Sequence, residues 1–196
     1  MLFKTILIFA IALSTVESVL QEIYIFKEPS CQGDGLLFRS KQSALTTYQQ
    51  TFIDAMQSIR VLGFWTGYST PEFQPEELLN KHDYTGTCSN YSASGLKSLR
   101  FMGQIDTSTA FISLYNGTPG TDAFSGDEKI VTRASSDFSF TPTGVIISNA
   151  ANWTGYENAD FTGRAICFRS STPGLTTFDL MTDSRVVKSV VKGCIS

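Results

Sequence analysis

The chain has one histidine, His82, in 196 residues. It stands beside Asp83 in a polar segment, and neighbouring side chains on an extended backbone point apart. The two therefore make no relay of the kind an activated nucleophile needs, and His82 reads as a solvent-exposed loop residue. Carboxylates occur as Glu76-Glu77 and Asp127-Glu128, read as solvated faces in turns, with no spacing that defines a glycosidase cleft. No glycine-rich phosphate loop follows a strand; Gly33-Asp34-Gly35 reads as part of a hairpin. The balance of 15 basic against 18 acidic residues, with no basic cluster, excludes an electrostatic case for nucleic acid. The four cysteines lack the close two-residue spacing of a zinc site. Neither a catalytic residue nor a cofactor is expected.

What the sequence does contain is repetition. Trp65-Thr66-Gly67-Tyr68 returns as Trp153-Thr154-Gly155-Tyr156, and Phe73 returns as Phe161, at an offset of 88 residues. Ile23-Tyr24-Ile25-Phe26 opens the first half much as Ile112-Ser113-Leu114-Tyr115 opens the second. A fixed internal offset points to a duplicated architecture. Each half divides again, because aromatics recur at Phe26, Tyr68, Tyr115 and Tyr156, and a hydroxyl residue follows each one, at Ser58, Ser98, Thr143 and Ser189. Three of these hydroxyls begin similar phrases, Ser58-Ile59-Arg60-Val61-Leu62-Gly63, Ser98-Leu99-Arg100-Phe101-Met102-Gly103 and Ser189-Val190-Val191-Lys192-Gly193. Their alternation predicts half-buried strands closed by glycine turns. In two units an aromatic is followed, after six residues, by glycine: Phe26 to Gly33 and Tyr156 to Gly163. Glycine there permits a positive φ.

These residues give the chain, from Gln21 to Ser196, a resemblance to the βγ-crystallin superfamily, whose unit is a Greek key with an aromatic-x6-glycine folded hairpin and a later serine. The resemblance implies an all-β protein of two Greek-key β-sandwich domains, 21–103 and 107–196, with two Greek keys in each. It implies that each aromatic covers a folded hairpin and each hydroxyl ties one down. Two units depart from the pattern. Pro75 occupies the glycine position after Tyr68, so that hairpin must be built differently. Tyr115 and Gly126 are eleven residues apart, and Asn116 to Gly120 reads as an inserted turn. Composition agrees with strands, given fifteen phenylalanines and seven tyrosines. The longest candidate helix is 73–80. Trp65 and Trp153, at equivalent strand starts, read as packing residues.

The first residues form a separate element. Lys4, an apolar run from Thr5 to Leu13 and small residues after it read as a secretory signal peptide, 1–18, with cleavage before Val19 and a competing site at Ser14. That run is shorter than the roughly 20 apolar residues a membrane span needs, and no later segment qualifies. Two cysteines in each half of an exported chain point to disulfides. Three pairings are open; self-contained domains select Cys31–Cys88 and Cys167–Cys194. Sequons stand at Asn90, Asn116 and Asn152, with Asn116 favoured as a glycan site because its turn should be exposed.

In the resembled family a calcium site is written as two Asn or Asp residues, two variable positions, Ser or Thr, then the serine. The equivalents here, 53–58, 93–98, 138–143 and 184–189, do not fit. Lys97 and Lys188 stand where a hydroxyl should face the ion, and only Asp54 and Gln57 offer a partial site. No metal is therefore expected. The resulting expectation is a secreted, monomeric, non-enzymatic protein that is structural or binds a protein, glycan or microbial surface. The alternative is a defence or venom factor, acting as a protease inhibitor or antimicrobial toxin through loops such as 118–121 or 171–174.

Overall fold

Glu22–Phe26 forms strand β1, with Ile23 and Ile25 turned into the core at alternate positions. The computed structural model describes residues 20–170, 174–182 and 185–194; the signal-peptide reading at 1–18 lies outside them. After β1 come a 3-10 turn at Pro29–Cys31, β2 (Gly35–Phe38), helix α1 (Thr47–Asp54), β3 (Ser58–Tyr68), β4 (Glu77–Asp83), β5 (Cys88–Asn90) and β6 (Ser98–Phe101). The second half supplies β7 (Ile112–Thr118), β8 (Asp122–Val131), β9 (Gly144–Ser148), β10 (Trp153–Tyr156), β11 (Ala165–Phe168), β12 (Leu175–Asp179) and β13 (Ser189–Lys192).

All of the pairings are antiparallel, and β3 organises the first half. Its opening residues pair with β1 and β5, whereas Gly63–Tyr68 pairs with β4 and Trp65–Tyr68 with β6. The change of sheet occurs at Gly63, at φ +94, where a side chain would collide with Gln21. Gly63 is thus a bend within a continuous strand, a correction to the glycine turn predicted there. Trp65 accordingly lies mid-strand. The second half makes the same two sheets from separate pieces, β12-β9-β7-β8 and β11-β10-β13. Each half encloses its own apolar cluster: Ile23, Ile59, Trp65 and Leu99 are among the first, and Ile112, Val145, Trp153 and Val190 among the second. A third cluster unites Phe64 and Met102 with Phe111, Tyr115, Ile146 and Leu175 across the two halves.

Four further expectations change. The helix is at Thr47–Asp54, where Thr46 and Gln49 form a capping box, and not at 73–80. That candidate segment is instead a hairpin that runs into β4: Glu72, Phe73 and Glu76 hold φ of 56°, 56° and 89°, which no helix accommodates. Pro75 displaces the positive φ by one residue, from the glycine position to Glu76. Asn116 to Thr118 continue β7, so the turn narrows to residues 119–121, because a register shift between Asn116 and Thr118 absorbs the additional length within the strand. His82 is exposed but sits in β4, its ring 5.8 Å from Phe64. Finally, β6 is buried at every position, Arg100 included, because its second face lies against the other half of the chain.

Candidate functional site: tied hairpins and the junction between halves

Each recurring hydroxyl meets the backbone of a hairpin. Ser58 Oγ donates to the Glu28 carbonyl at 2.5 Å and accepts from the Cys31 N–H at 2.9 Å. Ser98 repeats this with the Thr70 carbonyl at 2.7 Å and the Phe73 N–H at 3.2 Å. Thr143 Oγ1 lies 3.1 Å from the Tyr115 carbonyl and 2.9 Å from that of Ala123, and accepts from the Gly117 N–H at 2.6 Å. Ser189 donates to the Asn158 carbonyl at 2.7 Å. Ser58, Ser98 and Ser189 are fully buried, so these bonds satisfy backbone groups that water does not reach.

The recurring aromatics supply the cover. Ring pairs Tyr24–Phe26, Tyr68–Phe73, Tyr115–Phe124 and Tyr156–Phe161 lie 4.3 to 6.4 Å apart. Gly33, Gly126 and Gly163 all adopt positive φ, at 73°, 66° and 85°. At Gly126 a side chain would also strike the Asn116 carbonyl at 2.5 Å. Cys31 is joined to Cys88 and Cys167 to Cys194, one bridge within each half.

At the partial calcium position, Asp54 Oδ1 already accepts the Gly95 N–H at 2.8 Å, and Lys97 Nζ donates to Gln50 at 2.7 Å. Gln57 is exposed, with its backbone engaged by Phe26 and Tyr91. Among the described residues no group of three or more His, Cys, Asp or Glu is placed to hold a metal ion. Asp83, next to His82, is spent on Thr85 and Thr87; burial pushes its carboxyl up, but these hydrogen bonds outweigh it and hold it below its ordinary value. Asn90 and Asn116 are exposed, whereas Asn152 is half-buried and accepts the Ser170 N–H at 3.0 Å. Trp65 and Trp153 are fully buried. The 118–121 turn is exposed; of 171–174 only Gly174 lies within the described residues.

The junction holds charges that the sequence reading placed in solvent. Glu128, expected on a solvated face, is nearly buried: its carboxylate pairs with Lys41 Nζ and accepts from the Gly103 N–H at 2.9 Å, Ser113 Oγ at 2.6 Å and Tyr115 Oη at 2.5 Å. Burial pushes this carboxyl up, yet the Lys41 ammonium, the Arg100 guanidinium and the hydrogen bonds outweigh it, and its pKa is lowered. Burial drives Tyr115 well above the ordinary phenol value, and Glu128 adds to the effect. Arg100, 1 % exposed, donates to the Gly126 carbonyl at 2.7 Å and to the Phe124 carbonyl, and lies over the rings of Tyr68, Phe73 and Tyr115. The Gly126 N–H returns a bond to the Phe73 carbonyl at 2.7 Å. No sequence signal separates these buried charges from surface ones.

No family model and no curated protein matches the sequence. Among solved structures, Geodin, a βγ-crystallin from Geodia cydonium, aligns over 88% of this chain and 99% of its own, at 17% identity and a TM-score of 0.61. The fifth crystallin domain of the non-lens protein Absent in melanoma 1 aligns over 43% of this chain and 88% of its own, at 24% identity and a TM-score of 0.30. Protein S, solved in complex with calcium, aligns over 88% of this chain and 99% of its own at 12% identity and a TM-score of 0.30. The likeness to Geodin, together with the antiparallel Greek-key sheets, gives the chain the βγ-crystallin fold.

Proposed function

We propose that the chain is a secreted, non-enzymatic βγ-crystallin-type protein, made of a signal peptide at 1–18 and two domains at 21–103 and 107–196. It serves as a durable structural or binding component of an extracellular fluid or matrix. The observation that carries this reading is the confinement of one disulfide to each half. Such bridges persist in oxidising compartments and support small domains whose cores are modest. Among the described residues no helix is long and apolar enough to cross a membrane, which agrees with release. The polar residues of the family motif are spent on backbone ties, which supports a structural use for them over chemistry.

Expression of the full chain in a secretory cell line tests the proposal. The expected result is oxidised protein in the medium, shortened by the signal and reduced in mass by an N-glycosidase acting at Asn116. Retention in the cytosol as a full-length thiol form would overturn it.

A further inference from the structure

Between the two halves lies an open cleft of about 490 Å³, walled by β3 and β4 on one side and by β8 and β12 on the other. That volume falls within the range of small-molecule sites, which favour the contact between packed units. We infer that this cleft binds a neutral saccharide, a ligand class that deepens the binding side of the function proposed above.

Three aromatic rings, Phe64, Tyr84 and Phe124, provide the flat apolar surface against which the C–H face of a sugar ring can stack. Asn80, His82 and Thr177 provide hydrogen-bonding groups around them. The lining contains neither a carboxylate nor a lysine or arginine. A phosphate or nucleotide would find no lysine or arginine there, and an acyl chain would have to strip water from an amide, an imidazole and the Thr177 hydroxyl. A ring that bears hydroxyls on its edge and C–H groups on its faces satisfies both kinds of wall.

One detail points to a ligand. Tyr84 Oη accepts the Leu175 N–H at 2.8 Å and so pins the two walls together, and its own proton remains for another acceptor. The Tyr84 ring is in turn seated against Gly174, at φ +93, where a side chain would collide with it. The cleft is thereby held at a fixed width before any ligand arrives, which lowers the ordering cost of binding.

The test is titration of the purified, oxidised full chain with chitotriose, cellotriose, maltotriose and mannotriose, followed by calorimetry and by the mass of the recovered sugar. The expected result is saturable binding of at least one of them with Kd below about 1 mM, weakened about tenfold or more by His82→Ala and by Asn80→Ala at unchanged melting temperature. Both residues are exposed on β4; His82→Ala also gives up the edge contact with the Phe64 ring, so the melting temperature of each variant is read beside its binding. Absence of saturation with all four sugars, or binding that both variants leave intact, would overturn the inference. Binding with recovery of a cleaved sugar would support the cleft and overturn the non-enzymatic reading instead.

Discussion

The Lys41 ammonium and the Glu128 carboxylate, 87 residues apart in sequence, form an ion pair at the contact between the two halves, with side chains 23% and 9% exposed. Arg100 lies close enough to act on the same carboxylate, so one anion is held by two cations and by donors from Gly103, Ser113 and Tyr115. A pair so buried does not by itself make a fold stable, but removing one member leaves the other uncompensated.

Glu128→Gln should therefore cost on the order of 3 kcal/mol, since it strands Lys41 and weakens three other hydrogen bonds. Replacing both members, Lys41→Met with Glu128→Leu, should recover only part of that loss, because Ser113 and Tyr115 keep unpaired donors while the Gly103 N–H retains the Tyr115 hydroxyl. Denaturant unfolding of the single and double variants checks both points.

The same carboxylate sets a pH dependence. Its pKa is lower in the folded chain than in the unfolded chain, so the unfolded state binds more protons as acid is added. The contribution is complete above the ordinary carboxylate range of about 4 and is lost as pH falls through the folded value. Melting temperature should fall more steeply below about pH 4 in the parent than in Glu128→Gln. Parallel profiles would contradict the assignment.

Removing either disulfide should destabilise the half that contains it. The bridges span 57 and 27 residues, so chain-entropy arithmetic assigns about 4.2 kcal/mol to Cys31–Cys88 and about 3.6 kcal/mol to Cys167–Cys194. Paired Cys→Ser variants followed by urea titration measure the two costs, with the first expected to be larger.

Ser58→Ala and Ser189→Ala should each lower stability by roughly 1 to 3 kcal/mol, because a buried backbone group loses its partner. The loss should be greater at Ser58, whose hydroxyl both donates and accepts, than at Ser189, for which one donated bond is seen. Thermal melts of the two variants give the comparison.

Calcium should not add to this stability. Asp54 is engaged by Gly95, and an ammonium stands at Lys97 where an oxygen ligand is needed. Titration of chelator-treated protein should show no binding tighter than about 10 μM, the range of sensor-type sites.

Much of the architecture was legible because it is written in residues whose roles are local. Aromatics at Phe26, Tyr68, Tyr115 and Tyr156 and the hydroxyls at Ser58, Ser98, Thr143 and Ser189 mark hairpins whose chemistry each unit contains within itself. Helix α1 is equally local, since Thr46 and Gln49 form the capping box that starts it, yet the 73–80 reading rested on composition alone and passed over it. What the sequence could not convey lies between the halves. Arg100 alternates with Leu99 and Phe101 just as Arg60 alternates with Ile59 and Val61, yet Arg60 is exposed and Arg100 buried. Only the docking of the second half, which no local pattern encodes, distinguishes them. The cleft walled by His82, Tyr84 and Thr176 escaped for the same reason.

The most direct measurement is the mass and non-reducing peptide map of the protein recovered from the medium of secreting cells. The account predicts a chain that starts at Val19, with Cys31 linked to Cys88 and Cys167 linked to Cys194. An uncleaved chain with four free thiols, or a peptide linking a cysteine of one half to a cysteine of the other, would contradict it.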